Sequence, residues 1–315
     1  MTLSVRTMSE REALDALEPA AVTATLRSAF AGLATGASVQ PAQTVVEFPD
    51  GRGDCIFYPG ALHDLDLVGV KLSPYIVGRA EAGLSPVTAY PLLLSASTGE
   101  PVLLVDSLAL TTARTAATTA LAVDLLAAPD ATRLAVIGAG AVATEHIRYV
   151  SADRSWDHVS VYSPALVDES SDTHAARRDA LGEVAPHASI EPTAAEAVAD
   201  ADVVLLCTSS GHPVIDVADV ADGALITSIS TNAANAHEIA PGALAALDVY
   251  CDYRATAPVT AGEMVLAAVA GWEPATIVAD LTELIGGATV DTTRTRFFRS
   301  TGLGIEDLAI AGLLR

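Results

Sequence analysis

The sequence predicts an α/β protein, a doubly wound parallel sheet joined to a second, α+β domain. Two observations carry this. Apolar runs at 134–137, 159–162, 203–206, 225–229 and 249–251 alternate with helix-length segments, the pattern of a parallel sheet covered on both faces. Before residue 110, short strand-like runs instead follow one another through tight turns, which gives a largely antiparallel or mixed sheet.

Taken in order, Ser9-Glu10-Arg11-Glu12 is an S-x-x-E capping box, and helical character continues through Pro19 to a stop at Gly36. Strand-like runs then fall at 44–48, at 54–57 after an Asp50-Gly51 turn, at 67–72, at 87–95, and at 102–105 after a Thr98-Gly99 turn. Residues 108–127 read as a helix bridging the two domains. The chain ends in a strand-like 296–299 and a helix from about 304 to 314, a tail expected to return to the first domain. The expected boundaries are therefore 1–118 with 292–315 for one domain and 119–291 for the other.

Across 315 residues, 17 Lys+Arg stand against 39 Asp+Glu, a formal charge of −22. So negative a chain repels phosphate backbones and anionic lipid, which argues against nucleic-acid and membrane partners. The uncharged stretch 82–99 is interrupted by Pro86 and Pro91, and the first residues meet charge too early for a secretory signal, so a cytoplasmic protein is expected. Cys55, Cys207 and Cys251 lie far apart without a CxxC pair, so neither a disulfide framework nor a metal site is expected.

Gly138-Ala-Gly140-Ala-Val-Ala143 is G-x-G-x-x-A directly after a buried strand and at the start of an amphipathic helix. That is the dinucleotide-binding turn of a Rossmann sheet. Gly138 permits the tight turn, Gly140 admits the pyrophosphate, and Ala143 lets the helix lie close to its strand. Ala141, Val142 and Ala143 supply its first-turn N–H groups. An NAD-selective site usually carries an acid at the end of the second strand, where this chain reads Ser163-Pro164. Arg177 and Arg178 are too distant in sequence to assign, so both NAD(H) and NADP(H) stay open. Cys207, Thr208, Ser209, Ser230 and Asn232 lie at or after the ends of further strands and complete the expected cofactor set, with Thr115 on the bridging helix.

Of the 17 basic residues, only Lys71 is a lysine. A lysine kept at one position in a chain that otherwise uses arginine points to a site where a compact ammonium is wanted. The segments Val70-Lys71-Leu-Ser-Pro-Tyr75, Leu110-Thr-Thr-Ala-Arg114-Thr-Ala-Ala117, Ser228-Ile-Ser-Thr-Asn232 and Gly302-Leu-Gly-Ile-Glu-Asp307 carry a resemblance to the ornithine cyclodeaminase/μ-crystallin family. The resemblance runs over nearly the whole chain. It implies a homodimer with a substrate-binding and dimerisation domain, acting with NAD(P) on small imino, keto or amino acids. In it, Lys71 and Arg114 hold the substrate carboxylate beside the nicotinamide. A guanidinium fork paired with an ammonium suits that task on chemical grounds as well.

Two departures from the family pattern matter. Gln43 stands where relatives carry a third basic residue, and Asn232 where cyclodeaminases carry an aspartate that manages the ornithine amino group. Asparagine cannot act as that base, so hydride transfer to an imine is favoured over cyclisation. Ser73, Tyr75 and Thr88 are further substrate-side candidates, Asp307 is expected to order the pocket, and His237-Glu238 reads as a surface helix cap. The resulting expectation is NAD(P)H-dependent reduction of a small α-imino acid, iminosuccinate among the candidates, with Arg52 or Arg79 available for a second carboxylate. The alternatives are an ornithine cyclodeaminase-type lyase and a non-catalytic binding protein.

Overall fold

The computed structural model describes residues 5–168, 172–230 and 235–315, and the chain divides into two compact units. The first runs to Arg114 and takes back Gly302–Arg315; the second is Thr115–Thr301. The helix Leu108–Leu126 belongs to both.

In the first unit, a seven-stranded sheet has the order Arg6–Met8, Pro101–Val105, Tyr90–Ser95, Leu67–Ile76, Gly53–Leu62, Ser38–Val39, with Thr44–Glu47 also on Gly53–Leu62. Only Arg6–Met8 pairs in parallel. The capping box forms at Ser9 and Glu12, but its helix stops at Asp15 and a second helix, Pro19–Thr35, starts afresh. The reason is local: proline disfavours helical geometry in the residue before it, while its fixed φ suits a first helical position. Strand Gly53–Leu62 outruns the expected 54–57 because Pro59 and Gly60 interrupt its apolar pattern without interrupting its pairing.

The last helix, Gly304–Gly312, packs on strands Gly53–Leu62 and Leu67–Ile76 and on helix Pro19–Thr35. Its start is pressed against the sheet. A Cβ at Gly304 would lie 2.2 Å from the Pro59 carbonyl, so only glycine allows this approach. Gln40 fixes the same turn by accepting from the Ile305 amide at 3.0 Å.

The second unit is an eight-stranded, all-parallel sheet in the order Ser189–Ile190, His158–Tyr162, Arg133–Ile137, Val203–Leu206, Leu225–Ser228, Arg296–Arg299, Asp248–Cys251, Ala279–Asp280. Here one expectation is corrected. Arg296–Arg299 does not return with the tail to the first domain; it lies inside this sheet, between Leu225–Ser228 and Asp248–Cys251. Phe297 and Phe298 are fully buried, and the flanking arginines have buried partners: Arg296 donates to the Leu126 carbonyl at 2.8 Å and Arg299 pairs with Glu263. The return to the first unit therefore comes at Gly302 rather than at residue 292. Among the described residues, no helix is long and apolar enough to cross a membrane.

Candidate active site

Lys71 is central in strand Leu67–Ile76, opposite Tyr58 and Pro91. It is 2% exposed, an unusual place for a lysine, and its Nζ sits 4.2 Å from the centre of the Tyr58 ring. The docked last helix brings Asp307 Oδ2 to 2.7 Å from that ammonium. Arg114, on helix Leu108–Leu126, meets the same carboxylate through Nε at 3.3 Å and Glu306 through Nη1 at 3.1 Å. Two cations and two anions from distant parts of the chain thus form one buried cluster within the first unit. Sequence reading found three of its members. Glu306 was missed, because nothing in a lone Glu-Asp pair says that both face the same neighbour.

Burial pushes the Lys71 ammonium down, and the Arg114 charge adds to this, while Asp307 pulls it back up; the balance leaves it at about 8. Arg114 responds differently. Burial also opposes its charge, but Asp307 and Glu306 outweigh it and hold the guanidinium firmly protonated. The Tyr58 phenol is pushed up to about 12, mainly by burial. The cluster therefore offers one permanent cation and one that exchanges its proton near physiological pH.

The other substrate-side candidates are less closely held. Ser73 Oγ donates to the Thr88 carbonyl at 3.4 Å, and Thr88 N donates to the Pro74 carbonyl, so these two lie together beside the lysine strand. Tyr75 is 41% exposed, and Gln43 is exposed just before strand Thr44–Glu47. Arg52 and Arg79 are tied to the backbone carbonyls of Pro49 and Ser85. Asn232 lies outside the described residues.

In the second unit, the expected cofactor residues line a cavity of about 540 Å³: Gly138, Gly140, Ser163, Thr208 and Ser209 all contribute. The glycines fit a dinucleotide in different ways. Gly138 has φ +127° and its Cβ would lie 2.3 Å from the Cys207 carbonyl, so the turn itself requires glycine. At Gly140 a Cβ would meet no protein atom within 4 Å, so the fold keeps that space clear without filling it. Gly140 caps helix Ala141–Val150, whose first-turn amides have no partners within the helix, and Ala143 is buried against the sheet. Val142 is half-buried and Ala141 exposed on that first turn, and Thr115 is half-buried on helix Leu108–Leu126. Cys207 is buried, with its thiol pushed well up by burial, which leaves it inert.

Glu238, expected on a surface cap, is instead fully buried. Its Oε1 accepts from Thr208 N at 2.8 Å and Thr208 Oγ1 at 2.7 Å. Its Oε2 accepts from Ser228 Oγ at 2.7 Å and Ser230 N at 3.0 Å. One carboxylate therefore clasps the loops after two neighbouring strands, and Ser230, at φ +39°, is held in a conformation that serine rarely adopts. No local pattern reveals such a role, because its partners lie in other strands. Among the described residues, no group of three or more His, Cys, Asp or Glu could hold a metal ion.

Comparison with known proteins agrees with this architecture. The chain is 49% identical over 310 residues to the NAD(P)H-dependent anabolic L-arginine dehydrogenase DauB of Pseudomonas aeruginosa, covering 98% of this chain and 95% of that one. It superposes with TM-score 0.87 and 23% identity on the Delta(1)-pyrroline-2-carboxylate reductase of Thermococcus litoralis in complex with NADH and L-proline, covering 98% of this chain and 95% of that one. An archaeal alanine dehydrogenase dimer with bound NAD gives TM-score 0.87 at 24% identity, covering 98% and 94%. The profile of the ornithine cyclodeaminase/mu-crystallin family matches residues 1–315, and the chain belongs to that family.

Proposed function

We propose that this protein catalyses the NAD(P)H-dependent reduction of an α-imino acid to an L-amino acid, reversibly, and that Lys71 and Arg114 hold the substrate carboxylate. The observation that carries this is the buried pairing of both cations with Asp307 and Glu306, which fixes a guanidinium and an ammonium at one place out of water. When bound, the reduced nicotinamide supplies the hydride. The α-carbon accepts it as the C=N π bond breaks, and the nitrogen takes a proton. An ammonium at about 8 is suited to deliver that proton and to regain it from solvent.

The side chain of the preferred substrate is basic in this reading. Glu47 and Asp54 stand opposite each other in their strands, and two-residue alternation puts Asp54 on the same sheet face as Tyr58 and Lys71. The Asp54 charge is felt at the Tyr58 phenol, which it raises. Carboxylates there suit a guanidinium and repel a second substrate carboxylate, and the 49% identical relative is an arginine dehydrogenase. The reading further makes the protein a cytoplasmic homodimer. Support for the dimer comes from the opposite face of the same sheet, where Phe57, Val70, Leu72, Leu92 and Leu104 are only partly buried and Val68 is 37% exposed.

The test is a screen of NADH and NADPH oxidation with ammonia and 2-oxo-5-guanidinopentanoate, oxaloacetate, pyruvate or glyoxylate, and with preformed cyclic imines. Turnover is expected to be fastest with the guanidino acid. Release of ammonia and proline from ornithine without added cofactor would overturn this in favour of a lyase, and no oxidation with any acid would favour a binding protein.

A further inference from the structure

The cofactor cavity holds a feature that the sequence could not assign. Arg177, on helix Asp172–Val184, lines it together with Ser163, although the two are 14 positions apart in the chain. The position where an NAD-selective fold presents a carboxylate to the ribose hydroxyls is Ser163, at the end of strand His158–Tyr162. Ser163 is 6% exposed, and its hydroxyl makes no capping bond to the short helix that follows. Arg177 is half-buried and makes no ion pair among the described residues. Among those residues no acidic side chain lines the cavity.

A guanidinium with no ion pair among the described residues, lining the same cavity as a serine hydroxyl and with no acid of those residues on that lining, is a receptor for a phosphate and a poor one for a bare 2′-hydroxyl. We infer that Arg177 and Ser163 bind the 2′-phosphate of the adenosine ribose and that the protein prefers NADP(H) over NAD(H). This rests on the dinucleotide reading of the same cavity and adds to it the discrimination between the two cofactors. The chemistry is that of a planar fork on a dianion, reinforced by one hydroxyl donor. In a chain of charge −22, a lone arginine at this point also offsets the repulsion that a more highly charged cofactor meets.

Equilibrium binding tests the inference without turnover. NADPH and NADH are titrated separately against the full-length protein by quenching of its intrinsic fluorescence or by calorimetry, at low and at raised salt. The wild type is expected to bind NADPH about tenfold or more tightly than NADH, with the gap narrowing as salt rises. Arg177→Leu should weaken NADPH by about 10- to 100-fold and leave NADH within about twofold, so that the preference disappears. Ser163→Asp should reverse it. A fragment carrying the same group, adenosine 2′,5′-bisphosphate, should compete with NADPH in the wild type and lose its advantage over adenosine 5′-phosphate in Arg177→Leu. An Arg177→Leu protein that keeps its NADPH/NADH ratio, whether both affinities fall together or neither does, overturns the assignment. Binding of neither nucleotide by the wild type would overturn the dinucleotide reading as well.

Discussion

Asp307→Asn is the most informative single change in the cation cluster. It keeps the shape and an acceptor, but removes the charge that faces Lys71 Nζ at 2.7 Å and Arg114 Nε at 3.3 Å. Asp307 is the main influence holding the Lys71 ammonium up, against burial and Arg114. Without it, Lys71 falls below about 8 and becomes largely neutral at neutral pH. Removing one partner of a buried ion pair costs about 3–5 kcal/mol when the other charge is stranded. Here Lys71 escapes that by releasing its proton, which costs about 1.4 kcal/mol per pH unit below its folded value. Replacing the charged bond to Arg114 by a neutral one adds about 1 kcal/mol, since Glu306 still holds the guanidinium. The expected loss is therefore about 2–3 kcal/mol, or a melting temperature lower by about 4–10 °C.

The catalytic effect should be larger. With the ammonium gone, the substrate carboxylate loses a charged hydrogen bond worth about 1.5–3 kcal/mol, and KM for the imino acid rises about 10- to 100-fold. The alkaline fall of kcat/KM should also move to lower pH. Steady-state kinetics across pH, alongside thermal unfolding, read both effects. An Asp307→Asn protein with an unaltered pH profile and KM would refute the reasoning, whatever its melting temperature.

Lys71→Met should lower kcat/KM by about 10²-fold or more while the cofactor dissociation constant holds, because lysine and cofactor residues belong to different units; a near wild-type rate would remove Lys71 from the reaction. In the wild type, reductive kcat/KM should decline as pH rises through about 8, while folding stability gains between about 8 and the unfolded value of 10.5. In that window the unfolded chain binds more protons than the folded one, so stability increases with pH, and the loss of activity cannot be unfolding. Gly140→Val should fold normally, since its backbone is extended at φ −87° and no protein atom lies near its Cβ, yet weaken nicotinamide binding; retained affinity in a titration would argue against the cradle. Glu238→Gln should loosen the loops at Thr208 and Ser230, seen as faster amide exchange there and weaker cofactor binding; unchanged exchange would deny the clasp.

What could be read from the sequence follows the range of the interactions. The glycine turn at 138–143 and the capping box at Ser9 are local, and both form where the pattern puts them. Lys71 stood out through residue choice and Arg114 through the family resemblance, and the structure brings them to one carboxylate. Arg177 was set aside for its distance along the chain, which a helix lining the cavity makes irrelevant. Arg296–Arg299 was read as a strand but given with the tail to the first domain, because its pairing with Leu225–Ser228 and Asp248–Cys251 is set by residues tens of positions away. Glu238 was taken for a surface residue because its four donors come from two other loops.

The return of Gly304–Gly312 to the first unit also orders events in time. Glu306 and Asp307 are added to the chain only after the whole of Thr115–Thr301 has been polymerised, so until then Lys71 and Arg114 lack these two counter-ions. A chain made as far as Thr301 already has every strand of its parallel sheet, Arg296–Arg299 included, but its two cations still lack these carboxylates. The charge cluster thus behaves as a lock that closes only once Gly304–Gly312 has docked.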